Sequence, residues 1–164
     1  RLTWYFFNVF FMLNPLNPFI GIKRGVLRLY GAKIGKGVVI KPRVNIKYPW
    51  YLNVGNHCWI GEGVWIDNLG PVIINNHVCI SQGALLLSGN HDYKKTTFNL
   101  IVQPIQLESG VWIGAKAIVP GGTKAKSHAV LTAGSIAPKL MESYGIYTGQ
   151  PAKQVRVRKM DEDV

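Results

Sequence analysis

Residues 107–135 read LESGVW IGAKAI VPGGTK AKSHAV LTAGS. Each block of six opens on an aliphatic residue, Leu107, Ile113, Val119, Ala125 and Leu131, and holds a compact one in fifth place, Val111, Ala117, Thr123, Ala129 and Ser135. The frame recurs upstream from Ile34 and Ile40, Val54 and Ile60, and Ile74 and Ile80, with Val38, Val44, Cys58, Val64, Val78 and Ala84 in the fifth places. A short fixed period outranks other sequence signals, because missing it misassigns the whole fold. Six residues match neither an amphipathic helix nor a plain alternating strand. They fit a chain wound in short flat segments whose equivalent side chains stack in columns inside a narrow tube. The opener fills the interior, and the fifth residue sits by a corner where a larger group would overpack the column.

The fourth places hold Gly37, Gly63, Gly83, Gly110, Gly122 and Gly134, with Arg43, His57, His77, Lys116 and His128 in the others. Glycine takes positive φ freely and histidine is enriched there, so the fourth place reads as a left-handed turn. That accounts for His57, His77 and His128. Coils paired through their backbones at about 4.8 Å per layer give an elongated prism.

The blocks Ile60-Gly61-Glu62-Gly63-Val64, Leu107-Glu108-Ser109-Gly110-Val111-Trp112 and Ile113-Gly114-Ala115-Lys116-Ala117 resemble the hexapeptide-repeat acyltransferases. That resemblance implies an all-β left-handed parallel β-helix over residues 30–156. The left hand runs against the usual right-handed crossover, and the resemblance alone implies it. Gly31-Ala32-Lys33-Ile34-Gly35, Tyr48-Pro49-Trp50, Cys79-Ile80-Ser81-Gln82, Gly89-Asn90-His91-Asp92-Tyr93 and Gly149-Gln150-Pro151-Ala152-Lys153 are most similar to the colanic-acid-biosynthesis acetyltransferase group and the galactoside and maltose O-acetyltransferases.

The chain of 164 residues reads as one solenoid domain. It is preceded by an aromatic packing or capping segment over 1–29 and followed by a charged tail over 157–164. From Leu2 to Ile22 there is no charge, and Trp4, Tyr5, Phe6, Phe7, Phe10, Phe11 and Phe19 crowd the segment. Its apolar run stops at Asn14-Pro15, too short to span a bilayer. The segment is expected to cap the solenoid, since bare strand edges are usually covered. The alternative is a peripheral membrane contact, with Lys23, Arg24 and Arg28 against anionic headgroups. Cys58 occupies a packing slot, and two cysteines give no disulfide framework. With no secretory leader evident, a cytoplasmic setting is expected, at the inner membrane face if the segment makes that contact. The net charge of +11 comes without a nucleic-acid-binding motif. It suits polyanionic ligands such as coenzyme A or a lipid-phosphate-linked sugar.

The frame stops after His91 and resumes near Ile105 or Leu107, so the polar stretch near 92–104 must project as a loop. His91 is the histidine outside the turn positions. The resemblance makes it the general base of an acetyl-coenzyme-A-dependent O-acetyltransferase acting on a saccharide in exopolysaccharide or cell-envelope glycan synthesis. An unperturbed histidine pKa near 6.5 suits that work. A second frame break lies at Ile66 to Pro71, and the resemblance implies that Asp67 or Asn68 there helps hold the acceptor. By the same resemblance Ala115, Ala133, Lys139, Lys153 and Arg156 contact the coenzyme, no metal is required, and the assembly is a homotrimer with active sites between subunits. Two rivals stand beside this reading: a zinc enzyme of the carbonic-anhydrase branch, and a non-catalytic glycan-binding solenoid.

Overall fold

The computed structural model describes residues 1–15 and 20–160; Phe19 and the acidic residues Asp161, Glu162 and Asp163 lie outside them. All eleven openers and all eleven fifth-place residues of the frame are buried. Every fourth place has left-handed φ, from Gly37 at +65° and Arg43 at +58° to His128 at +61° and Gly134 at +68°. Between these turns the chain forms two- and three-residue strands that stack in parallel register into three faces.

One face carries the column Ile34, Val54, Ile74, Leu107, Ala125, Met141. A second carries Ile40, Ile60, Ile80, Ile113, Leu131, Tyr147. The third carries Ile46, Ile66, Leu86, Val119. These columns are the core, and the strands are too short to be stable except by stacking on neighbours.

Corner chemistry reinforces the stack. Where the first face turns into the second, Asn56 Oδ1 accepts from the Lys36 N–H at 2.8 Å and Asn76 Oδ1 from the Asn56 N–H at 2.7 Å. His57 and His77 stack ring on ring at 5.3 Å, and His128 stacks on Tyr144 at 4.8 Å. The turn reading of these three histidines therefore holds. Among the described residues no group of three His, Cys, Asp or Glu side chains is placed to hold a metal ion.

The corner from the third face to the first is different. Going from Ile46 to Val54 and from Ile66 to Ile74 takes eight residues where the frame needs six, and going from Leu86 to Leu107 takes twenty-one. Every lengthened connection therefore leaves the prism along one edge, while the register of all three columns continues across it.

The expected N-terminal cap is helical: α1 spans Leu2–Phe7, runs on into a π-helical turn over Asn8–Met12, and α2 spans Ile20–Leu29. The first coil has no preceding coil to satisfy its carbonyls, and side chains from these helices take that place. Arg28 donates to the carbonyls of Ile34 and Gly35, Lys23 to that of Lys41 at 3.2 Å, and the Trp4 indole to that of Ile46 at 2.9 Å. Asn8 donates to the Asn45 side chain at 2.7 Å. Lys23 is fully buried in this role, and burial lowers its pKa. At the other end, Ala152–Val157 folds back antiparallel on Gly145–Gly149 and closes the second face.

Candidate active site

The insertion after Leu87 is an antiparallel hairpin in which Gly89–His91 pairs with Leu100–Val102, with His91 opposite Leu100. Its tip is tied internally: the Asp92 N–H donates to the Asn99 carbonyl at 2.8 Å, and Asp92 Oδ1 accepts from the Lys94 N–H at 3.1 Å. The hairpin lies over the Asp67–Pro71 corner. A Cβ at Gly89 would come within 2.5 Å of Leu69 Cδ1, and one at Gly70 within 2.5 Å of Val102 Cγ1, so glycine is what lets the two loops touch. Ser88 fastens their roots, its hydroxyl donating to the Asp67 carbonyl and accepting from the Gly70 N–H.

His91 is exposed, and its Nδ1 lies 2.7 Å from the carbonyl oxygen of Phe98. A carbonyl can only accept, so Nδ1 carries the proton and Nε2 is left with a free lone pair in the neutral ring. Phe98 has φ of +46°, an uncommon conformation for an aromatic residue, and this is the turn that presents its carbonyl. Asp92, adjacent in sequence, does not orient the imidazole, because its carboxylate closes the loop turn instead. Nothing in the sequence marks Phe98, since a backbone carbonyl has no residue signature.

The two residues of the earlier corner have separate fates. Asn68 is fully buried, its Nδ2 donating to the Tyr48 carbonyl at 2.6 Å and its Oδ1 accepting from the Tyr48 N–H at 3.0 Å. With both ends of the amide engaged it clamps one coil to the next and offers nothing to an acceptor, which corrects the expectation placed on it. Asp67 is half-buried and its Oδ1 lies 2.9 Å from Lys47 Nζ, an ion pair without hydrogen-bond angles.

The residues expected to meet the coenzyme are spread over the later coils. Ala115 and Ala133 sit on successive coils at the corner between the second and third faces, joined by the Gly134 N–H donating to the Ala115 carbonyl at 2.8 Å. Lys153 and Arg156 are exposed on the closing strand, opposite Thr148 and Ile146. Lys139 is exposed at the corner that carries the hairpin, where its carbonyl accepts from the Lys124 N–H. Within one chain, then, His91 and the Ala115–Ala133 corner stand on different edges of the prism. Neither cysteine has the setting of a nucleophile: both are free, and burial pushes both thiols up.

The chain matches no family model. It is 37% identical over 133 residues to the colanic acid biosynthesis acetyltransferase WcaF of Escherichia coli K12, covering 81% of this chain and 73% of that one. A hexapeptide-repeat-containing acetyltransferase of Vibrio cholerae superposes with a TM-score of 0.82 at 21% identity, over 89% of this chain and 85% of that one. A maltose O-acetyltransferase of Clostridium difficile does so with a TM-score of 0.82 at 17% identity, over 90% and 81%. The chain belongs to the hexapeptide-repeat acetyltransferases, and the relative that shares most with it among these three is WcaF.

Proposed function

We propose that this protein transfers an acetyl group from acetyl coenzyme A to a hydroxyl of a saccharide, in exopolysaccharide or cell-envelope glycan synthesis in the cytoplasm, with His91 as general base. The observation that carries this reading is the Nδ1–H···O=C bond to Phe98, which leaves Nε2 as the basic nitrogen on an exposed hairpin. Nε2 takes the proton of the acceptor hydroxyl as its oxygen attacks the thioester carbonyl. The carbon–oxygen bond forms, the carbon–sulfur bond breaks, and the imidazolium returns the proton to the departing thiolate. While the ring is charged, the Phe98 carbonyl stabilises it through the same hydrogen bond.

Asp67, at the root of the hairpin, is the residue of its corner left to meet the acceptor. Ala115 and Ala133 let a pantetheine arm lie close to the backbone, and Lys139, Lys153 and Arg156 supply cations for the phosphates. The relative WcaF, named for colanic acid biosynthesis, supports a glycan acceptor. The Vibrio cholerae acetyltransferase of the same fold has also been solved with acetyl coenzyme A.

The separation of His91 from the Ala115–Ala133 corner favours a site completed by a neighbouring subunit of a homotrimer. An apolar column on the outer side of the second face, Val39, Trp59, Cys79, Trp112, Val130 and Ile146, offers a surface for that contact. Trp59 and Trp112 are 44% and 46% exposed within it.

Thiol release from acetyl coenzyme A, followed with a panel of sugars, tests the chemistry. His91→Ala is expected to lower the acceptor-dependent rate by about 10²–10⁴-fold. A robust transfer rate left unchanged by the substitution overturns the mechanism.

A further inference from the structure

The helical cap has two apolar faces, and the prism uses one of them. Trp4, Asn8 and Met12 point inward and are buried. The opposite stripe of the continuous helical run, at spacings of three and four, is Leu2, Tyr5, Phe6, Val9 and Phe10, exposed by 88%, 69%, 55%, 39% and 54%. In α2, Ile22 and Leu29 are also exposed, by 45% and 78%. A helix apolar all round is normally buried on all sides, and a contiguous exposed apolar patch marks an interaction surface.

Charge identifies what covers it. Residues 1–61 hold nine of the nineteen Lys and Arg residues and no Asp or Glu, a net +9, whereas residues 62–164 hold ten against eight acids, a net +2. Arg43 and Lys47 are paired with Glu62 and Asp67 from the second coil, Lys23 and Arg28 are spent on the cap, and Arg1 and Lys41 lie over the rings of Tyr48 and Trp59. Arg24, Lys33 and Lys36 remain at the capped end, with no acidic side chain among the first 61 residues to neutralise them. A groove of about 400 Å³ opens between α1 and the third face, walled by Trp4, Ile46, Tyr48 and Trp65. It is continuous with the exposed stripe through Leu2 and Tyr5, which line it too. Among the described residues no helix is long and apolar enough to cross a membrane.

We propose that the capped end of the prism docks on an anionic membrane surface. The aromatic stripe of α1 enters the headgroup boundary, the groove beside it receives part of a lipid chain, and Arg24, Lys33 and Lys36 meet the headgroups. Phenylalanine and tyrosine on an interfacial helix flanked by lysine and arginine match the chemistry of that boundary. The coils beyond the hairpin, from Leu107 onward, stay in water.

Co-sedimentation of the chain with vesicles tests this without reference to acetyl transfer, so the two readings fail separately. The vesicles are phosphatidylcholine alone, or phosphatidylcholine with about 30% phosphatidylglycerol to supply the anionic surface. Binding is expected to the anionic vesicles, weakening as salt rises. Phe6→Ser with Phe10→Ser is expected to reduce it at least about tenfold. Arg24→Gln, Lys33→Gln and Lys36→Gln are expected to cost about fivefold each, the equivalent of about 1 kcal/mol per basic residue. Both sets of variants alter exposed or half-exposed side chains, and an unchanged far-UV spectrum confirms that they fold. No partition at low salt, or partition indifferent to vesicle charge, overturns the proposal. So does self-association of the wild type in sedimentation velocity that the Phe6/Phe10 variant abolishes without any vesicle binding, which would make a second copy the occupant.

Discussion

Gly114 stands in the second place of its block, where the chain leaves the second face, and a side chain there has nowhere to go. A Cβ on it would lie 2.5 Å from the Ala133 nitrogen, 2.6 Å from the Thr132 carbonyl carbon and 2.8 Å from the Leu131 carbonyl oxygen. These are backbone atoms of the next coil, held by the stack itself, so Gly114→Ala must force the two coils apart. Overpacking of this kind costs about 1–3 kcal/mol or more. Weakening the 2.7 Å bond from the Gly114 N–H to Leu131 and its neighbours adds about 1 kcal/mol each. The expected loss is about 3–5 kcal/mol, or about 10 °C or more in Tm for a chain of this size. Gly63→Ala is the control at an equivalent corner: its φ is +66°, but nothing lies within 4 Å of its Cβ. It should cost about 1 kcal/mol, the left-handed penalty alone, or about 3 °C. Thermal unfolding followed by far-UV circular dichroism, with urea titration as a second measure, separates the two. If Gly114→Ala falls within about 1 kcal/mol of Gly63→Ala, the coils are not packed as described and the account of the second place is wrong.

Other expectations follow from single contacts. Asn68→Ala should destabilise the chain by about 2–4 kcal/mol, because it strands both the N–H and the carbonyl of Tyr48; Asp67→Asn, which breaks a half-buried ion pair but strands no backbone group, should cost less, about 1 kcal/mol, and denaturant midpoints distinguish them. Lys23 has a folded-state pKa below its ordinary value of 10.5, so the unfolded chain binds more protons in the interval between the two values and stability rises with pH across it. Lys23→Met should lack that rise, so the stability of wild type relative to the variant should increase with pH from neutral to about 10. Glu108 loses some solvation, which raises its pKa, but hydrogen bonds from the Ser127 hydroxyl and N–H and the charge of Lys124 outweigh this and lower it below 4.5. Its contribution is present above that value and lost as pH falls through the folded one, so Glu108→Gln should flatten the acid limb of the stability curve without shifting the alkaline limb.

The solenoid was legible because its rule is local. An aliphatic opener, a compact fifth residue and a left-handed fourth place can each be checked in a window of six, and Arg43 and Lys116 obey the turn rule as strictly as the glycines do. His91 stood out by the same rule, as the histidine the turn did not explain. What the sequence concealed depends on partners far away in the chain. The first helix of the cap was hard to assign because it is apolar on both faces, and the purpose of its inward residues shows only against the first coil's unpaired carbonyls. Lys23 reads as a surface charge until the Lys41 carbonyl is seen waiting for it. Asn68 looks like a ligand-facing polar residue until Tyr48, twenty positions earlier, is found at both ends of its amide. The tautomer of His91 depends on a main-chain carbonyl that any residue could have supplied.

The edge that carries every lengthened connection also separates two design problems. Ile74 and Leu107 are stacked neighbours although thirty-three positions apart in sequence, so the coil closes whatever leaves between them. Beyond its packed root at Gly89 and Val102, the hairpin can therefore vary in length, with the column above and below acting as a fixed socket. Loop length along this edge is thereby uncoupled from the stability of the columns that carry it.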